Sequence, residues 1–429
     1  MNKKIFVLLT VITFISIVLL AAGCDNSAGN TQSGDGNKSD STVQNHEHSF
    51  ESEWSSDNRF HWHAAACEHE VINDKAEHDF DGDGKCKVCK QINYNGFVFE
   101  LNPDNESYTL KGLAENNRIA NVTVPATYEG KAVTCIGSKA FKDCEEMISI
   151  TIPSGIKEIR SFAFDGCDGL KGVYIFDMTS WLKIDFGVSD ANPLEYARKL
   201  YLNNQLVTAL TIPKEITEVD WYAFYNCVDL QSIEVEADNA VFKSQGNCLI
   251  EKQTDKLILG CNNSVIPDYV KSIGSGAFKG CRDLTEVQIP SGVTYIGFYA
   301  FENCVNLTEV AIPSGVQILC DGVFKNCKNL QRVELSTGLT KIGMFAFAGC
   351  SSLNDINIPL GITDIDQGAF ASCVQLTRVI IPVGVTKIGS LAFVNCPKLT
   401  IYCQLSVPSN DWDKTWNGTS PVVWDYIAN

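Results

Sequence analysis

Histidine is almost missing from this chain of 429 residues: there are six, His46, His48, His61, His63, His69 and His78, and none follows in residues 79–429. Catalysis over more than four fifths of the chain therefore has no imidazole base, which removes Ser-His-Asp and Cys-His chemistry and histidine-ligated metal sites from it. Basic residues are also scarce, 34 lysines and arginines against 51 aspartates and glutamates, for a net charge of −17. Affinity for phosphate backbones comes from lysine and arginine displacing counterions, so a nucleic-acid partner is not expected. Long apolar runs are absent except for one at the N-terminus, Ile5 to Ala22. What is present in quantity is apolar residue, 45% of the chain, together with 18 cysteines. That content fills a core and excludes global disorder.

The apolar run follows Lys3 and Lys4 and ends in Leu20-Ala21-Ala22-Gly23-Cys24. Two positive charges, an apolar stretch and small residues form a secretory leader. The last five residues resemble a bacterial lipoprotein signal, which implies removal of residues 1–23 and acylation of Cys24. The resemblance departs in one respect, since the leucine usually sits one place nearer the cysteine. It implies a chain held by lipid at the outer face of a bacterial membrane, its only membrane contact. Residues 24–45 are small and polar, a flexible tether that sets reach.

Residues 46–93 form a small module holding every histidine. Cys86-Lys-Val-Cys89 is a knuckle, and with Cys67 and His78 it supplies four tetrahedral ligands for a structural zinc; His63 or His69 is an alternative to His78. So short a module gains from a metal, because its core is small. A disulfide within Cys67, Cys86 and Cys89, or free thiols beside exposed histidines, satisfies the same composition in an oxidising compartment. No HExxH spacing marks a catalytic zinc. Asp79-Phe-Asp81-Gly-Asp83-Gly84 copies the first half of a calcium loop, but Lys90 stands where a bidentate glutamate is needed, so a solvated acidic turn is expected.

Self-comparison fixes the rest. The unit I-P-x-x-V-x-x-I-G-x-x-A-F-x-x-C-x-x-L-x-x-V-x returns every 23 residues from Pro267. It carries Phe278, Phe301, Phe324, Phe347, Phe370 and Phe393 in step with Cys281, Cys304, Cys327, Cys350, Cys373 and Cys396. Earlier units stand at Phe141/Cys144, Phe164/Cys167 and Phe224/Cys227, nine in all, with insertions after Phe164 and Phe224. One unit cannot bury its apolar positions alone, but a stack of them shares one core. Leu284-Thr-Glu-Val287-Gln-Ile289 alternates as a strand that Pro290 ends, and a second short strand carries Val293 and Ile296.

This pattern resembles the BspA-like (Treponema-type) leucine-rich repeat family, with Ser336 for proline, Val323 for alanine and Cys320 for glycine as departures. The resemblance implies a β-rich leucine-rich repeat solenoid of short parallel strands with turns or short helices over residues 135–403. Residues 94–134 and 404–429 are read as its N- and C-terminal caps, Trp412, Trp416 and Trp424 lying in the second. The repeat cysteines are expected to be buried thiols, since cysteine behaves as a small hydrophobe and nine is an odd number. Outward positions of the main sheet fall five and seven places after each cysteine, among them Glu309/Ala311, Arg332/Glu334, Asp355/Asn357 and Arg378/Ile380. They form a polar, net acidic row without an aromatic stripe. Members of the family are taken to be adhesins, which implies a non-enzymatic surface protein whose partners are extracellular or cell-surface proteins. A metal-binding lipoprotein acting through the small module, or a carbohydrate-binding or carbohydrate-acting surface protein, is the alternative.

Overall fold

A computed structural model of the chain describes residues 49–56, 60–66, 72–77, 87–88, 96–114, 119–187 and 190–427. It divides into two compact units. Among the described residues no helix is long and apolar enough to cross a membrane.

The first unit holds a three-stranded antiparallel sheet, Ser55–Ser56, Phe60–Ala64 and Ile72–Glu77. His61 and His63 sit two apart on the middle strand, so they share a face. Trp54 covers both, its ring 4.7 Å from His61 edge-on and 4.0 Å from His63.

The second unit is a β-solenoid of about 13 turns with a period of about 23 residues. Each regular coil lays one strand on each of two sheets. On the long-strand sheet Glu309–Ala311 pairs in parallel with Arg332–Glu334, and Asp355–Ile356 with Arg378–Ile381. On the short-strand sheet Ile318–Leu319, Lys341–Ile342, Asp364–Ile365 and Lys387–Ile388 run side by side. In both, each residue pairs with its equivalent one period later, which is why the repeat tolerates no drift in length.

The Ala-Phe-x-x-Cys stretch makes the third side. Its phenylalanine rings stack from coil to coil, Phe278 on Phe301 at 5.0 Å and onward through Phe393, tilted by 11° or less. Every one of these rings is fully buried, and each contributes roughly 1.5–3 kcal/mol by leaving water. Burial at this depth requires the turn to satisfy its own backbone. The Phe324 amide donates to the Ala346 carbonyl of the next coil. The Phe324 carbonyl accepts from the Cys327 amide at 3.1 Å and from the Cys350 thiol at 3.2 Å.

The turn also imposes a backbone demand. The residue before each of the nine repeat cysteines has positive φ: Asp143, Gly166, Asn226, Gly280, Asn303, Asn326, Gly349, Ser372 and Asn395. Those residue types enter the left-handed region at least cost. A second left-handed position precedes the Ala-Phe pair, and there glycine alternates with bulk: Gly276, Tyr299, Gly322, Phe345, Gly368, Leu391. A Cβ on Gly322 would lie 2.3 Å from the Tyr299 ring, and one on Gly368 would lie 2.4 Å from Phe345. Tyr299 and Phe345 thus each lie over the glycine of the coil after them.

Several coils lack the Ala-Phe-x-x-Cys signature, which is why the turns outnumber the nine units. The C-terminal segment continues the stack as a last coil: Ile388 bridges to Trp412, the Phe393 amide donates to Trp416, and Ile401 pairs with Val422. Trp416 meets Phe393 edge-on at 6.0 Å and ends the ring stack. Trp412 and Trp416 are both buried. Leu284 to Ile289 is not a regular strand, because only Glu286 bridges to a neighbour, Glu309. The preceding coil is replaced by the hairpin Phe242–Gln245, Cys248–Glu251 and Lys256–Leu259, which joins the other sheet. That hairpin sends Cys248 and Ile250 into the C-terminal core and Leu249 into the N-terminal one.

The other insertion is held by charge. Glu195, on the short helix Leu194–Ala197, reaches the Lys279 ammonium at 3.2 Å. Lys279 is also 2.9 Å from Glu302 and lies 3.2 Å over the Tyr225 ring. Its side chain is 3% exposed.

Candidate functional site

The long-strand sheet presents the candidate surface. Alternation puts Val310, Val333, Ile356 and Val379 in the core and leaves Glu309, Ala311, Arg332, Glu334, Asp355, Asn357 and Arg378 exposed. Parallel strands about 4.8 Å apart repeat these positions as rows along the solenoid. Glu286, Glu309, Glu334 and Asp355 make the row acidic, and Arg332 is ion-paired to Glu334. Where Leu284 to Ile289 departs from the ladder, a depression of about 400 Å³ opens between Glu286, Gln288, Glu309, Ala311, Arg332 and Glu334.

Tyrosine pairs flank the regular run of the row, and one of the four, Tyr174, is itself in the row as read from the repeat. Tyr174 and Tyr201 stack at 4.6 Å within 8° of parallel, and a Cβ on Gly172 would meet both rings. At the other end Tyr402 and Tyr426 lie 4.8 Å apart, and the Arg378 guanidinium covers both. Tyr201 and Tyr426 escaped the sequence reading because they sit in an insertion and in the last coil, outside the five-and-seven rule. A search for tyrosine flanking the regular units would have found them.

The repeat thiols face inward. All 14 described cysteines are free, and all are buried except the half-buried Cys144. Loss of hydration pushes the Cys167 thiol up to about 12 and Cys396 up to about 11, and holds Cys304, Cys327, Cys350 and Cys373 well above the ordinary thiol range. A thiolate is the reactive species, so this ladder is a set of hydrogen-bond donors rather than nucleophiles.

Of the residues read as metal or lipid sites, Cys24, Cys67, His69, His78, Cys86 and Cys89 lie outside the described residues. His63 is described: its ring stacks on Trp54 and its Nδ1 lies 3.2 Å from the Glu53 carbonyl. Among the described residues no three histidines, cysteines or carboxylates are grouped to hold a metal ion.

Several solved structures are similar to the chain. A leucine rich cell surface protein from Faecalibacterium prausnitzii is 26% identical over 76% of this chain and 96% of that one, with a TM-score of 0.38. The pneumococcal vaccine antigen PcpA is 16% identical over 78% and 98%, with a TM-score of 0.41. A leucine-rich repeat protein from Bacteroides ovatus is 20% identical over 77% and 98%, with a TM-score of 0.30. Among curated proteins none matches. The BspA type leucine rich repeat region is found in six copies across residues 114–248, 195–270 and 271–400, more than half of the sequence, and the chain belongs to that family.

Proposed function

We propose that the chain is a lipid-anchored bacterial surface protein that binds extracellular or cell-surface proteins through the long-strand sheet of its solenoid, without turnover. The observation that carries this reading is the row of exposed side chains from Glu286 to Arg378, repeated in register on coils that share one buried core with the Phe stack. Solenoids use such extended faces for protein recognition. Membership of the BspA type family agrees with that use. The leader and Cys24 support export and acylation, and the polar tether 24–45 supports display at a distance from the membrane. For residues 46–93 a structural zinc on Cys67, His78, Cys86 and Cys89 is retained as part of the proposal, serving the module's fold.

The test is capture of full-length protein, in detergent, on a panel of immobilised extracellular-matrix and bacterial surface proteins, with lipid mass and zinc content measured on the same preparation. The reading expects saturable binding to at least one protein. Release of reducing sugar from glycans, or metal exchange as the sole activity, would replace it with one of the alternatives.

A further inference from the structure

The long-strand sheet changes character at its C-terminal end. Arg378 is exposed, its guanidinium carbon lies 5.2 Å from the centre of the Tyr402 ring and 5.4 Å from that of Tyr426, and its Nη2 donates to the Tyr426 hydroxyl. The two rings and the Tyr426 hydroxyl hold the guanidinium while leaving its other N–H groups able to donate. Arg332, two coils earlier on the same face, is neutralised by Glu334. Arg378 has no carboxylate within ion-pair distance among the described residues, although Asp355 is its strand neighbour. On a chain of net charge −17 that is a cation left without its counter-charge.

One exposed aliphatic side chain adjoins the group: Val423, the strand partner of Tyr402, is 41% exposed. Arginine and tyrosine are the residues that most often dominate interface energetics.

We propose that Arg378, Tyr402 and Tyr426, with Val423 beside them, anchor a partner protein segment that presents a carboxylate beside apolar side chains. The inference rests on the protein-binding reading above and names the chemistry of the partner. Charge complementarity selects the carboxylate, since the unpaired guanidinium matches it bidentately. Glu286, Glu309, Glu334 and Asp355 repel any second carboxylate along the same face, so the anchored residue also sets the register of the partner.

The probes are three fluorescein-labelled octapeptides alternating leucine with glutamate, lysine or glutamine, titrated into full-length protein in detergent and followed by anisotropy. The Leu/Glu peptide is expected to bind, Arg378→Gln to weaken it roughly tenfold or more, and Arg160→Gln, beside the strand Glu158–Ile159 of the other sheet, to leave it unchanged. Arg378→Lys, which keeps the charge but loses the fork, is expected to fall between. Equal binding of the Leu/Lys peptide, equal binding to Arg378→Gln, or no binding of any peptide overturns the proposal. So does capture of heparin that Arg378→Gln abolishes while no peptide binds, which would give the site to a sulfated glycan. A protein partner from the capture panel that Arg378→Gln still binds at full strength removes this inference alone. Absence of any captured protein removes the reading beneath it.

Discussion

The thiol of Cys327 donates a hydrogen bond to the carbonyl of Phe301, one coil back, at 3.1 Å. The same bond joins Cys304 to Phe278, Cys350 to Phe324, Cys373 to Phe347 and Cys396 to Phe370. A buried carbonyl has two lone pairs to satisfy, and the cysteine amide of its own coil takes only one. Cysteine is thus the residue small enough for the core that still brings a donor across the coil boundary.

Ladder thiols held protonated by burial make stability fall at alkaline pH. The unfolded chain ionises near 9 while the folded thiol of Cys167 holds its proton to about 12. Above the unfolded value the folded state therefore binds more protons, and stability is lost as pH rises through the interval between them. Urea midpoints measured from neutral pH to beyond 10 are expected to drop, and to drop less steeply in Cys327→Ala and Cys350→Ala.

Alkylation of the native chain at neutral pH is expected to spare the buried repeat cysteines. Half-buried Cys144 is the one in the ladder expected to react first. Peptide mass mapping after a short iodoacetamide pulse reads this directly, and early labelling of Cys327 or Cys350 would contradict it.

Asn326 stands at φ 60° and also donates to Asn303 Oδ1 at 3.2 Å. Asn326→Val places a branched side chain in the left-handed region and is expected to cost about 2 kcal/mol. Asn326→Gly relieves the backbone but loses the part-buried amide bond to Asn303, so a net change of under about 1 kcal/mol is expected. Chemical denaturation of the two variants separates them.

Lys279→Ala leaves Glu195 and Glu302 facing each other without the ammonium between them. Burial already raises the Glu195 carboxyl above its ordinary range. Lys325 still holds Glu302 at 3.0 Å, so the loss falls on Glu195 and is expected to cost about 1–3 kcal/mol, and amide exchange is expected to rise first around the Leu194–Ala197 helix.

The period, the two sheets and the inward cysteines were legible in the sequence because Phe and Cys recur at one interval and a solenoid copies its unit. Coils without that signature were not legible. Trp416 does the work of an Ala-Phe pair with a different residue, so the last coil reads as a cap until its pairing with Phe393 is seen. Glu195 and Lys279 are 84 positions apart, and no periodicity links them. The contact of Arg378 with Tyr426 joins a regular coil to an irregular one in the same way. The left-handed residue before each cysteine was in plain view as Gly, Asn, Asp or Ser, and turn chemistry rather than hydrophobic period reveals it.

The most direct measurement of the central claim is a steric block of the long-strand sheet. Ala311→Trp and Asn357→Trp together fill two places, two coils apart, in one of its exposed rows, and Glu145→Trp with Glu215→Trp places the same bulk on exposed corners. Binding of full-length protein to whichever immobilised protein the wild type captures is then compared, with thermal unfolding to confirm the fold. Loss of binding in the sheet variant alone is the predicted result; undiminished binding there would contradict the account.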